Sequence, residues 1–170
     1  MAMFPDLAEK YSMAVVDKLD KVDIQILRLL QDNARLTMKE LASRVSLSST
    51  PVFERVKRLE SRGYIKKYIA VLDQDKLHQG FVVFCNVKMT HMNNEAAVRF
   101  SNTVREMEQV TECYNISGSY DYLLKVHIAD MKEYKEFTLN VLGKVENISS
   151  IESHFVMDEI KHCYGVNIVE

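Results

Sequence analysis

Cysteine is scarce and odd in number: Cys85, Cys113 and Cys163 lie far apart and form no C-x-x-C pair. That spacing excludes a disulfide framework and offers no zinc site, so buried, reduced thiols are the expectation. No apolar run approaches the roughly 18 residues that a membrane-spanning helix needs. The opening MAMFPDLAEKYSMAVVDK carries acidic groups where a signal peptide needs an apolar core, so residues 1–18 read as an N-terminal arm. Neither a P-loop nor a G-x-G-x-x-G fingerprint occurs. His78, His91, His127, His154 and His162 are scattered without i,i+4 pairing, and Glu108, Glu112 and Asp121 lack a partner nucleophile or base. Neither an enzyme nor a bound metal or cofactor is expected.

Net charge is small, −2 over 170 residues, which argues against indiscriminate binding to nucleic acid. The charge is unevenly placed, however. From Arg44 to Tyr68 there are seven Lys/Arg against Glu54 and Glu60, a local excess of +5 on a body of about −7. A basic patch on an acidic body is the footprint of a docked polyanion.

The chain around this patch is punctuated as helices. Asp20 and Asp23 stand at N-cap and N3 spacing before an apolar-rich stretch ending near Asn33. Thr37 and Glu40 form a second capping box, ahead of Leu41, Ala42 and Val45. Ser48 is placed to cap a third helix, with Pro51 in its first turn and Gly63 as its C′ residue. In that helix, SSTPVFERVKRLESRG, Val52, Val56 and Leu59 form a narrow apolar stripe with Phe53 on its flank. The far side is polar and basic. The segment YIKKYIAVLD then reads as extended. Three short helices and a strand predict a winged helix-turn-helix over 19–72.

In such a unit the second helix of the pair enters the major groove by its N-terminal half, and flanking cations hold phosphates. Small hydroxyl-bearing residues at that end, Ser48, Ser49 and Thr50 with Pro51, permit close approach. Thr50 and Ser49 are candidate base readers, as is Glu54, which can accept from a cytosine amino group. Arg55, Lys57, Arg58 and Lys67 are candidate phosphate contacts.

DQDKLHQG, residues 73–80, reads as a linker. Beyond it the period changes to alternation in FVVFCNVKM, then to helical spacing at Ala97, Phe100, Val104 and Met107. Strand patterns follow at 110–116 and 120–128, the latter with Tyr120, Tyr122, Leu124, Val126 and Ile128 on one face. Asp130 then caps a helix carrying Met131, Tyr134, Thr138 and Val141, and alternation returns at 150–157. This βαββαβ order predicts a ferredoxin-like domain over 81–161, with 162–170 as a tail, so the fold class is α+β.

LDKVDIQILRLLQDNAR, the ERVKRLE run and the later GSYDYLLKV together resemble the Lrp/AsnC (feast/famine) transcription regulators, over about Leu19 to Lys161. The resemblance implies a cytoplasmic DNA-binding regulator whose partners are double-stranded DNA and a second copy of itself, with dimers assembling to tetramers or octamers. It further implies a RAM-type ligand-binding domain with a small amino-acid effector held between dimers. The matching effector site is the loop Gly118, Ser119, Tyr120 and Asp121 together with Ser149, Ile151 and Ser153 at the last strand. Backbone amides near Gly118 would take the carboxylate, Asp121 the ammonium, and Tyr120 would shape the pocket. A plainer reading of Gly118 and Asp121 stays open, in which they permit and bracket a turn. Two departures stand out. Ser46 replaces the glycine usual between the second and third helices, and Ile151 replaces a hydroxyl residue, which favours an apolar effector side chain or none. The alternative is an effector-blind architectural DNA-binding protein.

Overall fold

The structure, a computed structural model, describes residues 19–169; the arm expected over 1–18 lies outside them. These residues form two compact units, one from 19–71 together with 161–169 and the other from 72–160.

The first unit is built from three helices: α1 (Lys21–Asp32), α2 (Met38–Arg44) and α3 (Ser49–Ser61). Both expected capping boxes are present. The Asp20 carboxylate accepts from Asp23 N at 2.8 Å, and the Asp23 carboxylate accepts in return from Asp20 N at 3.3 Å. Thr37 and Glu40 repeat the pattern on α2. Each box satisfies amides that the first helical turn leaves without partners. Ser48 takes the extended N-cap backbone of α3 but makes no side-chain capping bond. Gly63, at φ 76°, ends α3, and Tyr64 N donates to Leu59 O at 3.0 Å, the chain reversal that a left-handed residue allows.

The α3 stripe Val52, Val56 and Leu59 is buried with Ile26 and Leu30 of α1 and Leu41 and Ala42 of α2 in one apolar cluster. Residues 66–72, expected as a strand, join no ladder among the described residues, and Tyr68, Ile69, Val71 and Leu72 stay exposed. The tail lies along α1. Gln31 holds Val166 through two 3.0 Å bonds, its amide donating to the carbonyl and accepting from the N–H, and Arg28 donates to Ile168 O at 2.8 Å.

In the second unit the elements run β1 (Phe81–Met89), α4 (Asn94–Arg105), β2 (Val110–Asn115), β3 (Tyr122–Ile128), α5 (Met131–Glu136) and β4 (Ile148–Phe155). The sheet order is β2-β3-β1-β4, antiparallel throughout. This is the ferredoxin-like arrangement that the period changes predict. Val83, Cys85, Val87 and Met89 of β1 and Tyr122, Leu124, Val126 and Ile128 of β3 pack against Phe100, Val104, Tyr134 and Phe137. Period-2 alternation puts Phe84, Asn86, Leu123, Lys125, Glu152 and His154 on the opposite face, as the cross-strand register requires.

Three expectations need correction. Tyr120 falls before β3, in the loop, so its place in the alternation does not put it in the core. After Glu136 the helix continues as a π-helical turn, Phe137–Val141, and a 3-10 turn, Leu142–Lys144. The wider turn rotates the inward face, so Phe137 and Leu142 are buried while Val141 is exposed. Gly143 is needed there, because a Cβ would come 2.6 Å from Thr138 O. Finally, only Cys85 of the three thiols is buried; Cys113 lies on edge strand β2 and Cys163 in the tail, both exposed.

Ser46 holds φ 55° between α2 and α3, a conformation in which its Cβ crowds the following carbonyl. Ser46→Gly removes that contact and should raise stability by about 1 kcal/mol. Chemical denaturation of the two proteins, with the midpoint shifted at constant slope, checks it.

Candidate nucleic-acid interface and effector loop

On α3 the apolar stripe turns inward, and this alone decides what faces out. Ser48, Ser49, Thr50, Pro51, Glu54 and Lys57 are all exposed. They form a contiguous surface over the first turns of the helix. Lys57 Nζ lies 5.5 Å from the centre of the Phe53 ring, so the stem of the lysine covers an aromatic that is itself 44% exposed. Lys66 and Lys67 are exposed on the segment after Gly63. That segment is pinned to the end of α3 by Tyr68, whose hydroxyl donates to Glu60 at 2.8 Å. Burial, and then the bonded carboxylate, push the Tyr68 phenol up to about 12.

Arg55 and Arg58 have partners that local sequence reading did not supply. Arg55 Nη1 lies 2.5 Å from Asp20 and 2.8 Å from Asp23, and Arg58 Nη2 lies 2.7 Å from Asp23. Their guanidinium groups tie α3 to the start of α1. The bond from the Asp23 amide and the Arg55 guanidinium hold the Asp20 carboxyl below its ordinary 3.8. Asp20 and Asp23 were legible as caps; nothing in the spacing signalled that residues over thirty positions away would share them.

The second candidate region lies in the other unit. Gly118 has φ 117°, open to glycine alone at low cost, in the connection between β2 and β3. Asp121 anchors this loop. Its carboxylate accepts from Met89 N at 2.8 Å and lies 3.5 Å from Lys88 Nζ, while its amide donates to Val87 O at 3.0 Å. Asp121 therefore brackets the turn, with both contacts of its carboxylate on Oδ2. The Tyr120 hydroxyl bonds Glu152 on the sheet face away from α4 and α5, and Glu152 also pairs with His154 at 2.9 Å. Glu152 is a contributor that sequence reading missed; only the β4 register brings it to the loop. Ser149 and Ser119 are exposed. Ile151 packs against the core and the Ser153 hydroxyl bonds Tyr134, so these two face the helical side of the sheet. Loop and strand residues thus divide between two faces within one protomer.

A three-helix unit that exposes a hydroxyl-rich, basic helix, followed by a ferredoxin-like domain with a glycine loop, defines a DNA-binding regulator with a ligand-binding module. Residues 19–66 match the family model of a winged helix-turn-helix DNA-binding domain, and residues 82–166 match that of the Lrp/AsnC ligand binding domain. The chain belongs to the Lrp/AsnC family of transcription regulators.

It is 39% identical over 150 residues to the DNA-binding transcriptional activator DecR of Escherichia coli strain K12, across 88% of this chain and 99% of that protein. It is 35% identical to the leucine-responsive regulatory protein of the same organism, across 84% of this chain and 87% of that one. A Neisseria meningitidis transcriptional regulator solved in complex with L-Met superposes with a TM-score of 0.85 at 36% identity, covering 88% of this chain and 97% of that one. These relatives are regulators, not enzymes, and the chain is a DNA-binding transcription regulator of this type.

The caps carry a pH signature. Asp20 is lowered as above, and Glu40 is lowered by bonds from Thr37. A depressed carboxyl contributes stability that is present above its unfolded pKa and is lost as pH falls through the folded one. Thermal melts should therefore drop in midpoint between about pH 5 and pH 3. In Asp20→Asn with Glu40→Gln the drop should be shallower, a comparison that circular dichroism reads directly.

Proposed function

We propose that α3 is the recognition helix. Its reading end is Ser48, Ser49, Thr50, Pro51 and Glu54, and Lys57 with Lys67 grips phosphate. The observation that carries this is the outward placement of small hydroxyl residues and a carboxylate on a helix whose opposite side is locked into the core. A helix presented this way fits the major groove by its N-terminal half. The regulator acts in the cytoplasm on double-stranded DNA. It acts as a homodimer, for which the sheet face away from α4 and α5, with Phe84 and Leu123, is the fitting contact, and its dimers assemble further to tetramers or octamers. Lys57→Ala should weaken binding to DNA of any sequence and flatten the slope of log affinity against log salt by about 0.9 for each protomer in contact with the duplex. Fluorescence anisotropy on a labelled duplex measures both; an unchanged slope would remove Lys57 from the phosphate set.

The ligand-binding domain takes a small amino acid at the 118–121 loop, and the ligand acts by favouring one assembly state. Two findings support this reading: the matched ligand-binding domain, and the L-Met complex of the Neisseria meningitidis relative. Backbone amides near Gly118, Ser119 and Tyr120 meet the ligand's carboxylate, and Asp121, whose two contacts with Met89 and Lys88 both fall on Oδ2, offers its other oxygen to the ammonium, with Ser149 as a further polar contributor. Ile151 and Ser153 act from the helical side, and Ile151 favours an apolar effector side chain. A thermal-shift screen of the twenty amino acids tests the site, since a ligand at a hundred times its Kd adds about 2.7 kcal/mol. At least one neutral apolar amino acid should raise Tm. A flat response to all twenty at millimolar concentration would favour the effector-blind architectural alternative.

A further inference from the structure

Asp23 and His127 are the two buried polar or charged residues among those described, and Asp23 is 2% exposed. A carboxylate in that position is tolerated only when its oxygens are fully occupied. Oδ1 accepts from Arg55 and from Arg58, each at 2.8 Å; Oδ2 accepts from Arg58 at 2.7 Å and from Asp20 N at 3.3 Å. Arg55 and Arg58 are one turn apart on α3, so both reach a single anion at the N-terminal end of α1, where the helix dipole also favours it.

Against the core of α1 and α2, α3 is otherwise held by apolar contact through Val52, Val56 and Leu59. Apolar contact resists separation but is non-directional, and so restrains rotation of a helix about its own axis weakly. Charge-assisted bonds to a planar guanidinium are directional. The rotation of α3 decides where Thr50 and Glu54 point, because they share its backbone.

Taking α3 as the recognition helix, we infer that Asp23 is a positioning residue for DNA recognition, and that Arg55 and Arg58 serve as its clamp rather than as independent phosphate contacts. This reverses the sign expected from charge alone. Removing an acid beside a DNA-binding helix should tighten binding by long-range attraction. Loss of a positioning residue should instead weaken discrimination between sequences while leaving the phosphate count unchanged.

The test uses the full chain and two probes: a duplex selected by the wild-type protein from a random-sequence pool, and an unselected duplex of equal length. For Asp23→Asn and Arg58→Gln, the ratio of selected to unselected affinity should fall about tenfold, the scale of one misread base pair. The salt slope on the unselected duplex should not change. The double variant should be no worse than either single one, as befits a coupled pair. Arg58→Lys keeps the charge but replaces the guanidinium whose Nη2 meets both Asp23 oxygens with an ammonium on a shorter stem, and should lose the ratio as well. This variant also carries the test if circular dichroism shows Asp23→Asn to be unfolded. The inference is overturned if Arg58→Lys keeps the wild-type ratio while Arg58→Gln flattens the slope by about 0.9 for each protomer in contact with the duplex. Lys57→Ala separates the two readings. Should Lys57→Ala and the Arg58 variants all leave affinity for both duplexes at the wild-type value, the recognition-helix assignment has failed rather than the clamp.

Discussion

A carboxylate taken out of water must be matched charge for charge, and in the DNA-binding unit that requirement falls on Asp23. It sits in the first turn of α1, closes a capping box with Asp20, and receives two arginines from α3. One side chain therefore ends one helix properly and orients another. Breaking such a buried pair on one side leaves an uncompensated charge and costs several kcal/mol, about 3–5 where it has been measured. The rest of the unit is assembled around this point: the apolar stripe of α3 supplies the burial, and the strained turn at Ser46 brings α2 and α3 together. The hydroxyl-rich end of α3 is left to face outward.

The ligand-binding unit solves a different problem, that of holding a loop rigid without burying it. Gly118 allows the backbone to turn, and Asp121 fastens the turn to β1 through Met89 N and Val87 O. Tyr120 is then drawn towards Glu152 on β4. The loop is thereby linked to the sheet face away from the helices through a chain of polar side chains that continues to His154 and Asn86, 3.0 Å apart. His127 on the same face is buried, and desolvation holds its imidazole below the ordinary 6.5. A face carrying both apolar residues and a fixed polar network is suited to a specific partner rather than to general stickiness.

Much of this was legible beforehand, for local reasons. Capping boxes are defined by three-residue spacing, so Asp20 with Asp23 and Thr37 with Glu40 could be read directly. Alternation placed Val83, Cys85, Val87 and Met89 in the core because a strand has no other way to bury one face. The misreadings have equally local causes. The π-helical turn at Phe137–Val141 adds a residue to one turn, and a wheel of 100° per residue then assigns Val141 to the inside when Leu142 is the buried residue. Tyr120 shares the parity of β3 but precedes its first ladder pair.

The amino-acid order alone determined the two-part organisation, the helix caps, the apolar stripe of α3 and the strand faces. Each of these depends on residues within one or two turns of one another, where backbone geometry makes spacing equivalent to position. Only the tertiary structure decided the partners of the charged groups. Whether an arginine on α3 meets solvent or Asp23, and whether Asp121 reaches Met89 N, depends on elements brought together from thirty or more residues away. Ionic and hydrogen-bonding groups are selective about geometry in a way that apolar groups are not. Their roles therefore emerge only once the fold has fixed their distances.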